Sequence, residues 1–371
     1  MLQGSPLSWA SLPPPRAPRW VWFAVPGLLL VTLFVASGLV TLPYDAIAPG
    51  LAEPVAPLIH LPGGPPRPVK GQILLTTVEV GPVRVPELIR DWLDPNVELQ
   101  KRQVTPSQEQ QQNVQEMADS EQAAVVVALR RLGRAVDETG TGALVEVVYN
   151  GTPAAGRLKA GEVIVAIDGR PTLLEADAAG ILRQHRPGDV VALTVDPGGG
   201  RPTRVEQIAL TGHQVSLPQT SCASAPGTTT VALLGVGLGT RNDKVDLPER
   251  ITIDPQGIGG PSAGLAFTLG IIAQLTSSDL SGGHKIAATG AISTDGTVGD
   301  VGGVPQKTVA VRRAGADLFI VPCGELHDAQ SKAGKHLRVV AVATLEQALG
   351  VLRADGGTMG NLPPAPATLL R

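Results

Sequence analysis

The sequence predicts an α+β protein assembled from unlike parts: an N-terminal transmembrane helix, a β-rich domain, and a C-terminal α+β domain. Three observations lead there. An uncharged apolar run lies near the start, short strand-like runs punctuated by glycine turns fill the middle, and strand and helix patterns alternate in the last third. The 371 residues allow two or three domains. Aromatic residues make up only 3%, so Ala and Val must fill much of the core. The net charge of −3, without a block of Lys or Arg, gives no footprint for nucleic acid, and no such partner is expected.

From Trp20 to Val40 no residue is charged. As a helix this stretch spans roughly 32 Å, close to a bilayer's hydrocarbon thickness. Trp20 and Trp22 suit an interface, Arg16 and Arg19 precede the run, and Asp45 and Glu53 follow it. The expectation is a cytoplasmic tail over 1–19, a single-pass anchor in the lipid bilayer over 20–42, and a body outside the cytoplasm. A cleaved signal peptide ending at Ala46-Ile47-Ala48 is the competing reading. Residues 43–69 carry many prolines and read as an extended spacer. Residues 70–135 read as a strand, Ile73–Val80, and a long helix after Thr105-Pro106-Ser107-Gln108, where Thr105 can cap and Pro106 can open it. Val114, Ala118, Val125, Ala128, Leu129 and Leu132 mark its apolar face.

Residues 136–213 form the β-rich domain. Ala143–Tyr149 and Gly161–Gly169 read as strands, Thr172–His185 as a helix, and Asp189–Val195 with Arg204–Leu210 as a hairpin. The stretch GTPAAGRLKAGEVIVAIDGRP, Gly151 to Pro171, resembles a bacterial PDZ domain. Such domains bind an extended peptide beside a sheet edge. The resemblance implies a peptide-binding loop at Gly140-Thr141-Gly142 and a peptide-binding strand at Ala143, Leu144 and Val145.

The last domain, 228–355, carries the chemistry, and 356–371 reads as a tail. Gly259-Gly260-Pro261-Ser262-Ala263-Gly264 precedes an apolar helix, Leu265–Leu275. A serine there meets free backbone N–H groups and the positive end of a helix, which an oxyanion needs. Gly260, Pro261 and Ala263 are the loop residues around it. Serine needs a base. Lys307, ahead of a helix Thr308–Ala314, can serve if burial keeps its amine neutral. Thr289 offers a hydroxyl to orient that amine. Three blocks in order, Gly260–Gly264, Thr289–Val304 and Lys307–Pro322, resemble Lon-type serine proteases, and the whole arrangement resembles the PDZ-containing, membrane-anchored Lon-like proteases of bacteria. The resemblance implies a catalytic dyad of Ser262 and Lys307, with Thr289 orienting the lysine. It departs at Gly259, where the family often has an acid.

No G-x-x-x-x-G-K-[ST] occurs, so no ATP site is expected, and the six histidines show no metal-ligand spacing. The expected function is ATP-independent cleavage of protein or peptide substrates outside the cytoplasmic membrane, without cofactor or metal. Two other readings stand beside it: an inactive PDZ scaffold at the membrane, and an α/β-hydrolase esterase built on the G-x-S-x-G serine. Cys222 and Cys323 either form a disulfide or stay free thiols, and a homo-oligomer is left open.

Overall fold

A computed structural model describes residues 28, 41–62, 70–102, 106–216, 222, 228–276 and 278–364. The chain divides into two compact units, residues 1–48 with 79–103, and 49–78 with 104–371. In the smaller unit the start of β1 (Thr41–Pro54) pairs antiparallel with β3 (Glu98–Lys101), from Tyr44 opposite Lys101 to Ile47 opposite Glu98. An Asp45–Arg102 ion pair closes this ribbon. The end of β2 (Gln72–Arg84) leads into α1 (Val85–Leu93), where Glu87 accepts the Arg84 backbone N–H at 3.0 Å.

The fold is mixed α+β, and the predicted transmembrane helix does not enter it. Among the described residues no helix is long and apolar enough to cross a membrane. Of the predicted anchor 20–42 only Leu28, Thr41 and Leu42 are described, and Thr41 and Leu42 already belong to β1. An uncharged run of bilayer length shows only what a segment is able to do, and here its last residues extend with their neighbours into a strand. The predicted spacer is corrected in the same region. Between its prolines, Val55, Leu58 and Ile59 are buried, and Val55 N–H donates to Ile73 O at 2.9 Å. Proline lacks the ladder N–H but keeps its carbonyl as an acceptor, so a proline-containing stretch can still be a strand.

In the larger unit, β2 runs parallel to β11 (Lys285–Ala288), which runs parallel to β12 (Leu318–Pro322), which runs parallel to β13 (Arg338–Val342). β2 therefore belongs to the sheet of the C-terminal domain, although some 200 residues separate it from β11. Side chains alternate across this sheet. Ile73, Leu75, Ile286, Ala288, Leu318 and Ile320 join a core with α2 (Pro106–Arg131) and α4 (Gly264–Thr276). Leu74, Ala287, Phe319 and Val321 join a second core with α5 (Val304–Arg313) and α6 (Leu326–Ala333). Both faces are covered, as a parallel sheet requires. The helix α7 (Leu345–Ala354) starts at Thr344, whose hydroxyl accepts the Gln347 N–H. In α2 the buried face is Met117 and Ala124 to Leu129, while Val114 is exposed. Thr105 lies outside the described residues.

Between β2 and β11 the chain builds a second antiparallel sheet. Its order is β7 (Arg204–Ala209), β6 (Val190–Asp196), β5 (Val163–Ile167), β4 (Ala143–Val148) and β10 (Val236–Thr240). The helix α3 (Glu175–Leu182) packs Ala178 and Ile181 on its core with Val145, Ile164 and Leu193. A hairpin of β8 (Thr211–Ser216) and β9 (Thr228–Leu233) links β7 to β10.

Candidate active site

The serine loop is held from two sides. Gly260 has φ 86° and ψ 158°, a conformation that favours glycine, and it starts the short turn Pro261–Ala263 leading into α4. From α2, Asn113 O accepts the Gly260 N–H at 3.1 Å, and Ser120 Oγ donates to Pro261 O at 3.0 Å. From the other side, the Ser262 carbonyl accepts the Gly290 N–H at 3.0 Å and the Thr289 hydroxyl at 3.1 Å. A Cβ on Gly264 would lie 2.8 Å from Ser120 Oγ and 2.9 Å from Ile292 Cγ2, so only glycine lets α4 start this close to α2.

Lys307 is the fourth residue of α5, which begins at Val304, earlier than the sequence pattern suggests. Its own N–H donates to Gly303 O at 2.9 Å. The residue is 2% exposed. Burial lowers its amine to about 8, and the charge of Glu325 works in the opposite direction. The Glu325 carboxyl is itself raised, by burial and then by Asp300 and Asp328.

Ser262 and Lys307 line one cavity of about 270 Å³, together with Thr76, Thr77, Val78 and the loop from Gln256 to Gly259. Gln256 adopts φ 51°, unusual for a side-chain-bearing residue, at a turn of the loop that lines the cavity. Thr76, Thr77 and Gln256 are absent from the sequence-based site. The signal for the threonines was their position directly after the apolar run Ile73–Leu75, legible only once that strand was known to enter this sheet.

Two parts of the predicted site are arranged differently. The hydroxyl of Thr289 reaches the Ser262 carbonyl rather than the Lys307 amine. The N–H of Gly260 is engaged by Asn113 and Pro261 has none, which leaves the Ser262 and Ala263 amides of the predicted loop for an oxyanion. Cys222 and Cys323 are joined in a disulfide, with Cα atoms 5.1 Å apart.

In the strand-rich module, Ala143, Leu144 and Val145 lie in β4, between β5 and β10. Both edges of β4 are occupied. In the loop before it, the Thr141 N–H donates to Arg241 O and the Gly142 N–H to Leu173 O, each at 2.9 Å. Gly140 closes against Thr240, whose methyl a Cβ would meet at 2.3 Å. The outer strand on this side is β10, supplied by residues beyond the predicted end of the domain at 213. The alternation Gly235, Val236, Gly237, Leu238, Gly239 was the signal for it.

A serine at a glycine-shaped helix start and a buried lysine on the same cavity define a hydrolase-type site. Residues 245–353 match the Lon protease (S16) C-terminal proteolytic domain, which supports a serine-type peptidase. Lon protease 2 of Herpetosiphon aurantiacus is 28% identical over 180 residues, covering 47% of this chain and 21% of that protein. Lon protease 1 of Myxococcus xanthus is 31% identical over 125 residues, covering 29% of this chain and 15% of that protein. The chain thus spans about a fifth or less of the length of these relatives. Among solved structures, the PDZ domain of an SdrC-like protein from Listeria innocua is similar to 26% of this chain, with 92% of that chain covered, 24% identity and a TM-score of 0.19. A protein from Geobacillus thermodenitrificans is similar to 20% of this chain, with 82% of that chain covered, 33% identity and a TM-score of 0.18.

Proposed function

We propose that the chain is a serine endopeptidase with a Ser262–Lys307 dyad. The carrying observation is that both side chains line one cavity and that the lysine is 2% exposed there. In this reading the neutral Lys307 amine takes the Ser262 hydroxyl proton as Oγ attacks a peptide carbonyl. The resulting ammonium then protonates the leaving amine, and water hydrolyses the acyl-enzyme by the same route. The Ser262 N–H, at the start of α4, faces the developing oxyanion. Ser120 holds the Pro261 carbonyl, which shares a peptide plane with the Ser262 N–H, and so fixes the direction of that N–H, while Thr289 and Gly290 fix the following plane through the Ser262 carbonyl.

The sequence holds no Walker A loop, so turnover is proposed to need no ATP and to favour unfolded or terminal segments. Peptide recognition by strand addition falls to β10 rather than β4, since both edges of β4 are taken. The Cys222–Cys323 disulfide favours an oxidising compartment outside the cytoplasm.

The test is turnover of an unfolded protein by wild type, Ser262→Ala and Lys307→Met. Each substitution is expected to lower kcat by more than about a thousandfold, as removal of a dyad member does. Lys307→Met should keep the fold, read by circular dichroism and melting. Retained turnover in a folded variant would reject the dyad.

A further inference from the structure

Thr76 lies on β2 and lines the same cavity as Ser262 and Lys307. It is 2% exposed, and its Oγ1 is buried without a hydrogen-bond partner. Buried hydroxyls without partners are rare in folded proteins, and each asks for a reason. The other threonines around the site each have one. Thr77 Oγ1 accepts the Leu51 N–H at 2.9 Å and donates to Leu51 O at 3.2 Å, binding β1 to β2. Thr289 donates to the Ser262 carbonyl, and Thr308 to Val304 O at 2.7 Å. Strand alternation puts Thr76 on the face of Leu74, which packs with Val304 and Val311 of α5, the helix that carries Lys307.

We propose that Thr76 positions substrate in the peptidase site: its hydroxyl hydrogen-bonds the backbone of a bound peptide beside the scissile bond. A peptide entering the cavity brings N–H and C=O groups that have lost water and need partners. A threonine hydroxyl can both donate and accept, so it matches either group. Its partner arrives with the substrate, which accounts for the lack of one within the chain. The inference rests on the Ser262–Lys307 reading.

The experiment compares wild type, Thr76→Val and Thr76→Ser on a peptide substrate across pH, alongside acylation of Ser262 by a small fluorophosphonate that makes no backbone contacts. Thr76→Val is isosteric and removes only the hydroxyl. It is expected to lower kcat/KM at least about tenfold, with the midpoint of the pH profile and the fluorophosphonate rate held and the melting temperature equal or higher, since an unpartnered buried hydroxyl is removed. Thr76→Ser should stay within about threefold of wild type. Unchanged peptide turnover in Thr76→Val overturns the proposal. So does a parallel loss of fluorophosphonate reactivity, or a displaced pH midpoint, because the hydroxyl would then act on Lys307. If Thr76→Val does not fold, Thr76→Cys carries the same comparison against Thr76→Ser. If wild type is not acylated at Ser262, the dyad fails instead, whatever the Thr76 variants do.

Discussion

Lys307 is the residue whose chemistry depends most on its surroundings. An ordinary lysine is charged at neutral pH, and this one is brought to about 8 by burial. As a base it works only when neutral, so kcat/KM should rise with pH and level off above a midpoint near 8, read on a small peptide substrate. Stability follows in a definite direction. The folded-state pKa lies below the unfolded one, so between about 8 and the ordinary lysine value the unfolded chain binds more protons, and stability rises with pH across that window. Below about 8 the folded protein carries a buried ammonium. Lys307→Met removes it, and should therefore melt higher than wild type at pH 6, by a margin that shrinks as pH passes through the window. An equal margin at all pH values would contradict the buried charge. Ser262 and Lys307 stood out as candidates in the sequence because each lies in or beside a block that resembles Lon-type serine proteases. The Thr289 bond did not, because its acceptor is a backbone carbonyl, which every residue has.

The elements around the site are set by close approach as much as by burial. The helix α4 is buried along most of its length, from Gly264 to Ile272, and its glycines mark where other segments touch it. A Cβ on Gly270 would lie 2.6 Å from Val55 Cγ2 and 2.7 Å from Ile59 Cδ1. Gly270→Leu should therefore push away the segment after β1 and cost about 1–3 kcal/mol, measured by denaturant unfolding. A Cβ on Gly350, in α7, would meet no atom within 4 Å, so Gly350→Ala should instead stabilise by about 0.5–1 kcal/mol. If both changes were neutral, packing against Val55 and Ile59 would not hold the segment. The apolar run Leu265–Leu275 had found α4 within a residue of each end, because its composition is local. The register of β4 depended on β10, which arrives about 90 residues later, and no local pattern announces such a partner.

At the scale of the larger unit, the strand-rich module is an insertion. The chain leaves the parallel sheet after β2, builds α2 and the antiparallel sheet, and returns at β11. The Cys222–Cys323 bond ties the connection between β8 and β9 to the end of β12, closing a sequence separation of 101 residues. A loop of that length restricts the unfolded chain strongly, so Cys323→Ser or reduction should lower stability by about 2–5 kcal/mol. Non-reducing and reducing melts of wild type, with Cys323→Ser as control, would show it. A wild-type melt indifferent to reductant would mean that the bond carries no stability.

Contiguous residues were enough to single out the candidate serine and lysine and a helix beside each. Their spacing and type act over a few turns of chain. What depends on distant partners emerged only with the fold. It placed β2 in the sheet of the C-terminal domain, buried the proline-rich stretch at Val55, Leu58 and Ile59, gave β4 a second neighbour, joined the cysteines, and brought Thr76 to the cavity of Ser262 and Lys307. Hydrogen-bond pairing between strands and the burial of a side chain are properties of two segments at once, and a single stretch of sequence states only one of them.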